Sequence, residues 1–279
     1  MSPHRIADAV FLLTLCVAAL VAALAGGCLA VLVFYPQIAG GLTGLALHPW
    51  WFVYASTGAN TARVALWSLA AAIAISLAAL PWGLRARALY VRSSSPLALF
   101  FFVYPFTLFT ECLRGPSALI YAQGGSQTLV LVLSRAVYGG RFAGELALLL
   151  VGLYALDFSY RRYSLVCGLL VAASLAIAAY TPVDGTVFLS TYTCALGDER
   201  GTWFVEFALA LLGPAALAGA AISRKSKEYL VLCAASVVLI ACREVSAFTA
   251  PLAAVATAFV LTAVGCWVFT SVLRRLQQS

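Results

Sequence analysis

Three stretches of this chain, Ala9 to Tyr35, Val64 to Leu84 and Val245 to Leu273, contain no charged residue. Each meets or exceeds the roughly 20 apolar residues that a helix needs to cross a bilayer. In lipid every backbone N–H and C=O must be satisfied within the protein, so such a run has to be a helix or a strand of a closed barrel. Barrel strands alternate apolar and polar residues, and these runs do not. The chain has 63% hydrophobic and 10% charged residues, with a mean hydropathy of +1.00. It reads as all-α: a polytopic transmembrane helix bundle forming a single integral membrane domain over 279 residues.

Hydropathy and breaker residues predict eight helices, at about 8–35, 63–83, 97–113, 142–160, 164–182, 203–222, 228–245 and 251–273. With the N-terminus in the cytoplasm, the inside segments hold Arg5, Arg85, Arg87, Arg92, Arg161, Arg162, Arg224, Lys225, Lys227, Arg274 and Arg275, eleven of the seventeen basic residues. The outside receives Arg63, Arg114, Arg135, Arg141, Arg200 and Arg243, together with Asp184, Asp198 and Glu199. The positive-inside rule then puts both termini in the cytoplasm, and the expected location is a bacterial inner membrane. The stretch from Arg5 to Ala25-Gly26-Gly27-Cys28 resembles a cleavable signal, whose removal would leave seven helices. Its apolar part is longer than the usual signal core of about 7 to 15 residues, which favours a retained helix.

No inside segment is longer than that from about Arg85 to Pro96, so no nucleotide-binding, kinase or DNA-binding domain fits there. Energy coupling or signalling output has to come from a protein partner. The formal charge of +7 is spread between apolar runs as topology signals, so no nucleic-acid partner is expected, while membrane lipids are. Outside, residues 36–62 carry Pro36, Gly40, Gly41, Gly44, His48 and Pro49 and the aromatic cluster Trp50, Trp51, Phe52, Tyr54. That cluster suits an interfacial belt, or a lid over an outward-facing pocket. Residues 117–141 are broken at Gly124-Gly125 and Gly139-Gly140. They predict an interfacial or re-entrant helix over Gln127 to Tyr138, buried against protein.

Eight cysteines without a C-x-x-C pair and only two histidines, His4 and His48, give no metal or cofactor motif. Cys112 and Cys242 are candidates for a bridge only if their helices meet; lone buried thiols are the alternative. No H-E-x-x-H, Gly-x-Ser-x-Gly or paired-aspartate signature marks an enzyme, although a desolvated Glu suits general acid–base work.

The remaining chemistry lies in charges set within apolar sequence. Such charges face a protein interior or wet cavity and mark function. Glu111 and Arg114 are spaced i, i+3 and share a face, with Gly115-Pro116 expected to end their helix. Arg243 and Glu244 are adjacent, point about 100° apart, and need separate partners. Arg141 and Glu145 are spaced i, i+4. Asp157 is expected to pair with Arg161 at the inner interface, and Glu206 to be an ordinary outer-end charge. Leu97 to Glu111 and Tyr229 to Arg243 span equal lengths, and Tyr35-Pro36 faintly echoes Tyr180-Thr181-Pro182. These echoes are compatible with a parallel 4+4 internal repeat, with chance similarity the alternative, since proline and aromatic residues are common at helix ends anyway.

Glu111, Arg114, Arg135, Arg141, Glu145, Arg243 and Glu244 thus form the candidate ligand-binding set, in the outer half of the membrane, with four cations and three anions. Such a set suits a small anionic or zwitterionic ligand, since Arg grips carboxylate or phosphate bidentately. The leading expectation is a transporter or transporter membrane subunit. A membrane-embedded sensor or assembly partner, an intramembrane lipid-modifying enzyme, and a purely structural salt-bridge network are the alternatives.

Overall fold

The computed structural model describes residues 3–42, 45, 61–158, 163–189, 191–197, 199–248 and 252–278. The aromatic cluster at 50–54 and Arg161 lie outside them. The chain is built of helices: α1 (Pro3–Phe34), α2 (Thr61–Ser93), α3 (Pro96–Thr107), α4 (Arg114–Ala122), α5 (Gln127–Ala155), α6 (Tyr163–Tyr180), α7 (Glu199–Arg224), α8 (Lys227–Phe248) and α9 (Leu252–Leu276). A 3-10 segment, Leu108–Leu113, joins α3 to α4, and a small hairpin of β1 (Val183–Phe188) and β2 (Cys194–Leu196) joins α6 to α7. Six helical spans are long and apolar enough to cross a membrane: Thr14–Phe34, Leu66–Ser93, Pro96–Ala122, Gln127–Ala155, Arg200–Arg224 and Ala256–Leu276.

Several boundaries differ from the sequence expectation, and α2 runs on to Ser93, ten residues past its expected end at 83. Gly115-Pro116 does not end a helix, because both fall in the first turn of α4, where proline is tolerated. The helical run therefore continues from Pro96 through the 3-10 segment to Ala122. The segment 117–141 is consequently not one interfacial helix. Its first part belongs to α4, Gly124 turns the chain at φ +67°, and Ser126 starts α5 as N-cap, accepting from the Leu129 N–H at 3.4 Å. Gly139-Gly140 lies inside α5, where the missing side chains admit neighbours. α5 then stops at Ala155, so Asp157 (φ +66°) sits in a turn and pairs with Arg224.

Between helices in lipid, close contact and small residues replace the hydrophobic drive of water-soluble cores. A Cβ at Gly152 would stand 2.6 Å from Ala216 Cβ, and one at Gly213 would stand 3.2 Å from the Leu148 backbone, so α5 and α7 cross nearly backbone to backbone. The central core joins α2, α3, α5, α8 and α9 through Ile75, Phe101, Leu148, Leu239 and Phe269. The Phe101 and Phe269 rings stack at 3.9 Å. The hairpin is fixed to α5 by two bonds. Tyr138 Oη donates to the Cys194 carbonyl at 3.1 Å, and the Cys194 N–H donates to Ser134 Oγ at 2.9 Å. Leu165, Leu169, Val171 and Leu175 on α6 face outward, as lipid contact requires.

Candidate functional site

Pro105 interrupts the hydrogen bonding of α3, and the chain tightens three residues later into the 3-10 segment. Ser76 of α2 donates its hydroxyl to the Leu108 carbonyl at 2.9 Å, holding the start of that segment against α2. With three residues per turn, positions three apart eclipse, which sets Glu111 directly beside Arg114. The Glu111–Arg114 pair expected from spacing is present at 3.4 Å.

Glu111 has two further guanidinium partners. Arg141 of α5 grips it with both arms, Nε to Oε1 at 2.8 Å and Nη2 to Oε2 at 3.3 Å. Arg243 of α8 donates Nε to Oε1 at 3.3 Å and Nη1 to the Arg141 carbonyl at 3.3 Å. Arg114 also donates to Ser68 Oγ at 2.8 Å. One carboxylate therefore ties the 3-10 segment to α4, α5 and α8, and Arg114 carries the link on to α2. All four charged side chains are nearly sealed from outside.

The third arm of Arg141 points to the other half of the site. Its Nη1 lies 3.6 Å from Glu206 of α7 and 3.8 Å from Glu244 of α8. Oxygens of Glu145, Glu206 and Glu244 all lie within 4.8 Å of one another. Glu145 is 3% exposed, and its Oε2 has no hydrogen-bond partner among the described residues. Side-chain exposure rises from 4% at Glu111 through 8% at Arg141 and 17% at Glu206 to 31% at Glu244, so the cluster is closed at one end and opens at the other.

Of the residues expected from sequence, Glu111, Arg114, Arg141, Glu145, Arg243 and Glu244 come together. Arg135 does not: it makes no ion pair among the described residues, and its half-buried side chain leaves Nε without a hydrogen bond. Six positions before Arg141 on one helix, it lies about 9 Å along the axis and about 120° around it. Glu206, expected to be an ordinary end charge, takes its place in the cluster. The count becomes three cations and four anions, which reverses the expected positive surplus. Asp157 pairs with Arg224, while its expected partner Arg161 lies outside the described residues. Cys112 and Cys242 are buried, separate thiols.

Two glycines belong to the site and have a sequence signature, the spacing Gly140-x-x-x-Gly144. A Cβ on Gly140 would run into the Thr110 side chain, and one on Gly144 would sit 2.6 Å from both Arg243 Nη1 and Thr107 Oγ1. Their bare backbone lets the 3-10 segment and the Arg243 guanidinium reach α5. Beside the site, Phe142, Ile177, Tyr180, Thr202 and Val205 line an apolar cleft of about 500 Å³ between α6 and α7.

No protein-family model and no curated protein sequence matches this chain. The charged centre carries the functional argument by itself.

Proposed function

We propose that this chain is a multi-pass membrane transporter, or the membrane subunit of one, whose Arg/Glu centre binds and passes a small zwitterionic or anionic solute. The observation that carries this reading is the bipolar centre itself: three guanidiniums around Glu111 on its sealed side, three carboxylates on its open side, and Arg141 spanning both. Charges at this depth are costly unless they pair or serve a pathway. A zwitterion matches both halves, its anionic group replacing Glu111 on an arginine and its cationic group meeting the carboxylates. The four-to-three excess of anions makes a zwitterion a better fit than a simple anion. A structural network alone would pair Glu145, whose free oxygen supports a binding role instead.

Within the same proposal the chain crosses eight times, with α6 and α8 joining the six longer spans. At 1.5 Å per residue, their 18 and 22 residues reach about 27 and 33 Å, enough for a core about 30 Å thick. Both termini are cytoplasmic, as in a bacterial inner membrane, and a partner chain supplies any energy coupling. One structural feature supports the orientation. Arg224 bonds both Asp157 at the end of α5 and Tyr229 near the start of α8, gathering basic residues at one end of the bundle. The 4+4 repeat remains part of the proposal through the matched positions of Glu111 and Arg243 alone.

Mass spectrometry of small molecules retained on gentle extraction names the solute. Reconstituted vesicles then show its uptake, which falls to background in Glu111→Gln and Arg243→Gln while both variants elute as folded protein. Undiminished uptake in both would sink the proposal.

A further inference from the structure

The transport reading leaves one group of oxygens unexplained. Glu145 from α5, Glu206 from α7 and Glu244 from α8 each present a carboxylate oxygen within 4.8 Å of the other two. Nothing in a helix-packing role requires three anions to converge, and Coulomb repulsion between them grows as water is excluded. Arg141 is already committed to Glu111 through Nε and Nη2 and offers the triad only Nη1, 3.6 Å from Glu206 and 3.8 Å from Glu244.

Two buried side chains of the site carry polar atoms without partners, one of them within the triad itself. Glu145 is sealed, yet its Oε2 has no hydrogen-bond partner among the described residues. The Tyr104 hydroxyl, on a side chain 1% exposed, also has none, and it lies within the fields of Arg243 and Glu244. Buried polar atoms are rarely left this way unless something else satisfies them.

We infer that Glu145, Glu206 and Glu244 form a binding site for one sodium-sized monovalent cation. With all four carboxylates ionised, the charge count favours a monovalent ion: three guanidiniums leave one negative charge, which a single monovalent ion neutralises and a divalent ion overshoots. Carboxylate oxygens are hard donors that suit hard cations. Size is consistent too. Calcium, whose radius is close to that of sodium, holds oxygens at about 2.3–2.6 Å, so its ligands reach about 5 Å apart across the ion, whereas magnesium closes on about 4.2 Å. The half-exposed Glu244 gives the ion a way in and leaves room for water to complete its shell. The site rests on the transport reading only for its purpose, as the coupling ion of that solute; its chemistry stands without it.

The test is the unfolding midpoint of the purified full chain in detergent, at constant ionic strength, with sodium exchanged for potassium or choline. Sodium is expected to raise the midpoint saturably, and potassium less. In Glu206→Gln and Glu244→Gln, half-saturation should move up at least about tenfold, since loss even of groups behind a metal ligand costs 10–100-fold. These two carboxylates are the more exposed ones, so the variants stay folded where Glu145→Gln need not. Three results overturn the site: no difference between sodium and choline, a rise on acidification alone, or saturation by calcium far below the sodium range. Sodium binding without solute uptake would refute the transport reading and keep the site; uptake without sodium binding does the reverse.

Discussion

Glu111 holds its three arginines only while it is charged. Neutralising it as Gln leaves three guanidiniums packed around a weak acceptor, and breaking a buried pair from one side costs about 3–5 kcal/mol. Urea or thermal unfolding in detergent should show that loss for Glu111→Gln, and a clearly smaller one for Glu244→Gln, whose side chain is 31% exposed. Gly144→Ala tests the geometry without touching a charge. Its new methyl meets Arg243 Nη1 and Thr107 Oγ1 at 2.6 Å, and Arg243 is not free to swing away while it bonds Glu111 and the Arg141 carbonyl. An overpacking cost of about 1–3 kcal/mol is expected, with Gly144→Ala also losing whatever solute or ion binding the wild type shows. The same residues define what spacing reveals. Glu111 and Arg114 are legible as a pair because i, i+3 contacts are local, and Arg141 and Arg243 because charges stand out in apolar sequence. Arg135 stands apart from the cluster and Glu206 joins it because which face of a helix turns inward depends on partners distant in sequence. Helical phase relative to Arg141 was the signal available for excluding Arg135.

At the scale of elements, the run from Pro96 to Ala122 and the hairpin illustrate opposite limits of a sequence reading. Gly115-Pro116 looks like a terminator, yet its effect depends on where the helix starts over; after a 3-10 segment it falls in a first turn and is harmless. The hairpin lies in a stretch whose polar and glycine residues read as a loop, and two bonds to α5 fix it beside Tyr138. Ser134→Ala removes the acceptor of the Cys194 N–H, and a loss of about 1 kcal/mol is expected, seen as faster amide exchange across β1 and β2 with α5 unchanged. The hairpin also has a pH dependence outside the membrane. Asp184 accepts from the Thr186 N–H at 2.8 Å and hydroxyl at 2.6 Å, which holds its carboxyl below the ordinary range. A carboxylate depressed in the folded state stabilises above its unfolded value, about pH 4, and that contribution is lost as pH falls through the folded value. Amide exchange at Thr186 should therefore quicken as pH drops below about 4, after correction for intrinsic rates, and Asp184→Asn should remove that step.

The whole molecule is most legible where the physics is least local, because hydrocarbon permits helices or closed barrels and little else. Apolar length alone exposes the spans, whereas their packing rests on glycines such as Gly152 and Gly213, whose role appears only when α5 and α7 are seen crossing. Orientation is the property that links fold to proposed function, since it decides which side the open end of the charged centre faces. Arg224, Asp157 and Tyr229 mark one end of the bundle, and the gradient of exposure from Glu111 to Glu244 marks the way out of the site. Glu206 follows the start of α7 by two turns and Glu244 precedes the end of α8 by about one, so the opening lies toward the end opposite Arg224. In the proposed orientation, with basic residues retained in the cytoplasm, the site opens outward. Reporter fusions after Tyr160 and after Lys225 should both report a cytoplasmic location, and one after Gly197 an external one. An external signal after Tyr160 together with a cytoplasmic one after Gly197 would invert the protein and turn the open carboxylates toward the cell interior. Equal signals after Tyr160 and Gly197 would mean that α6 does not cross, removing it from the eight-crossing count and leaving the six longer spans to be counted with α8 alone.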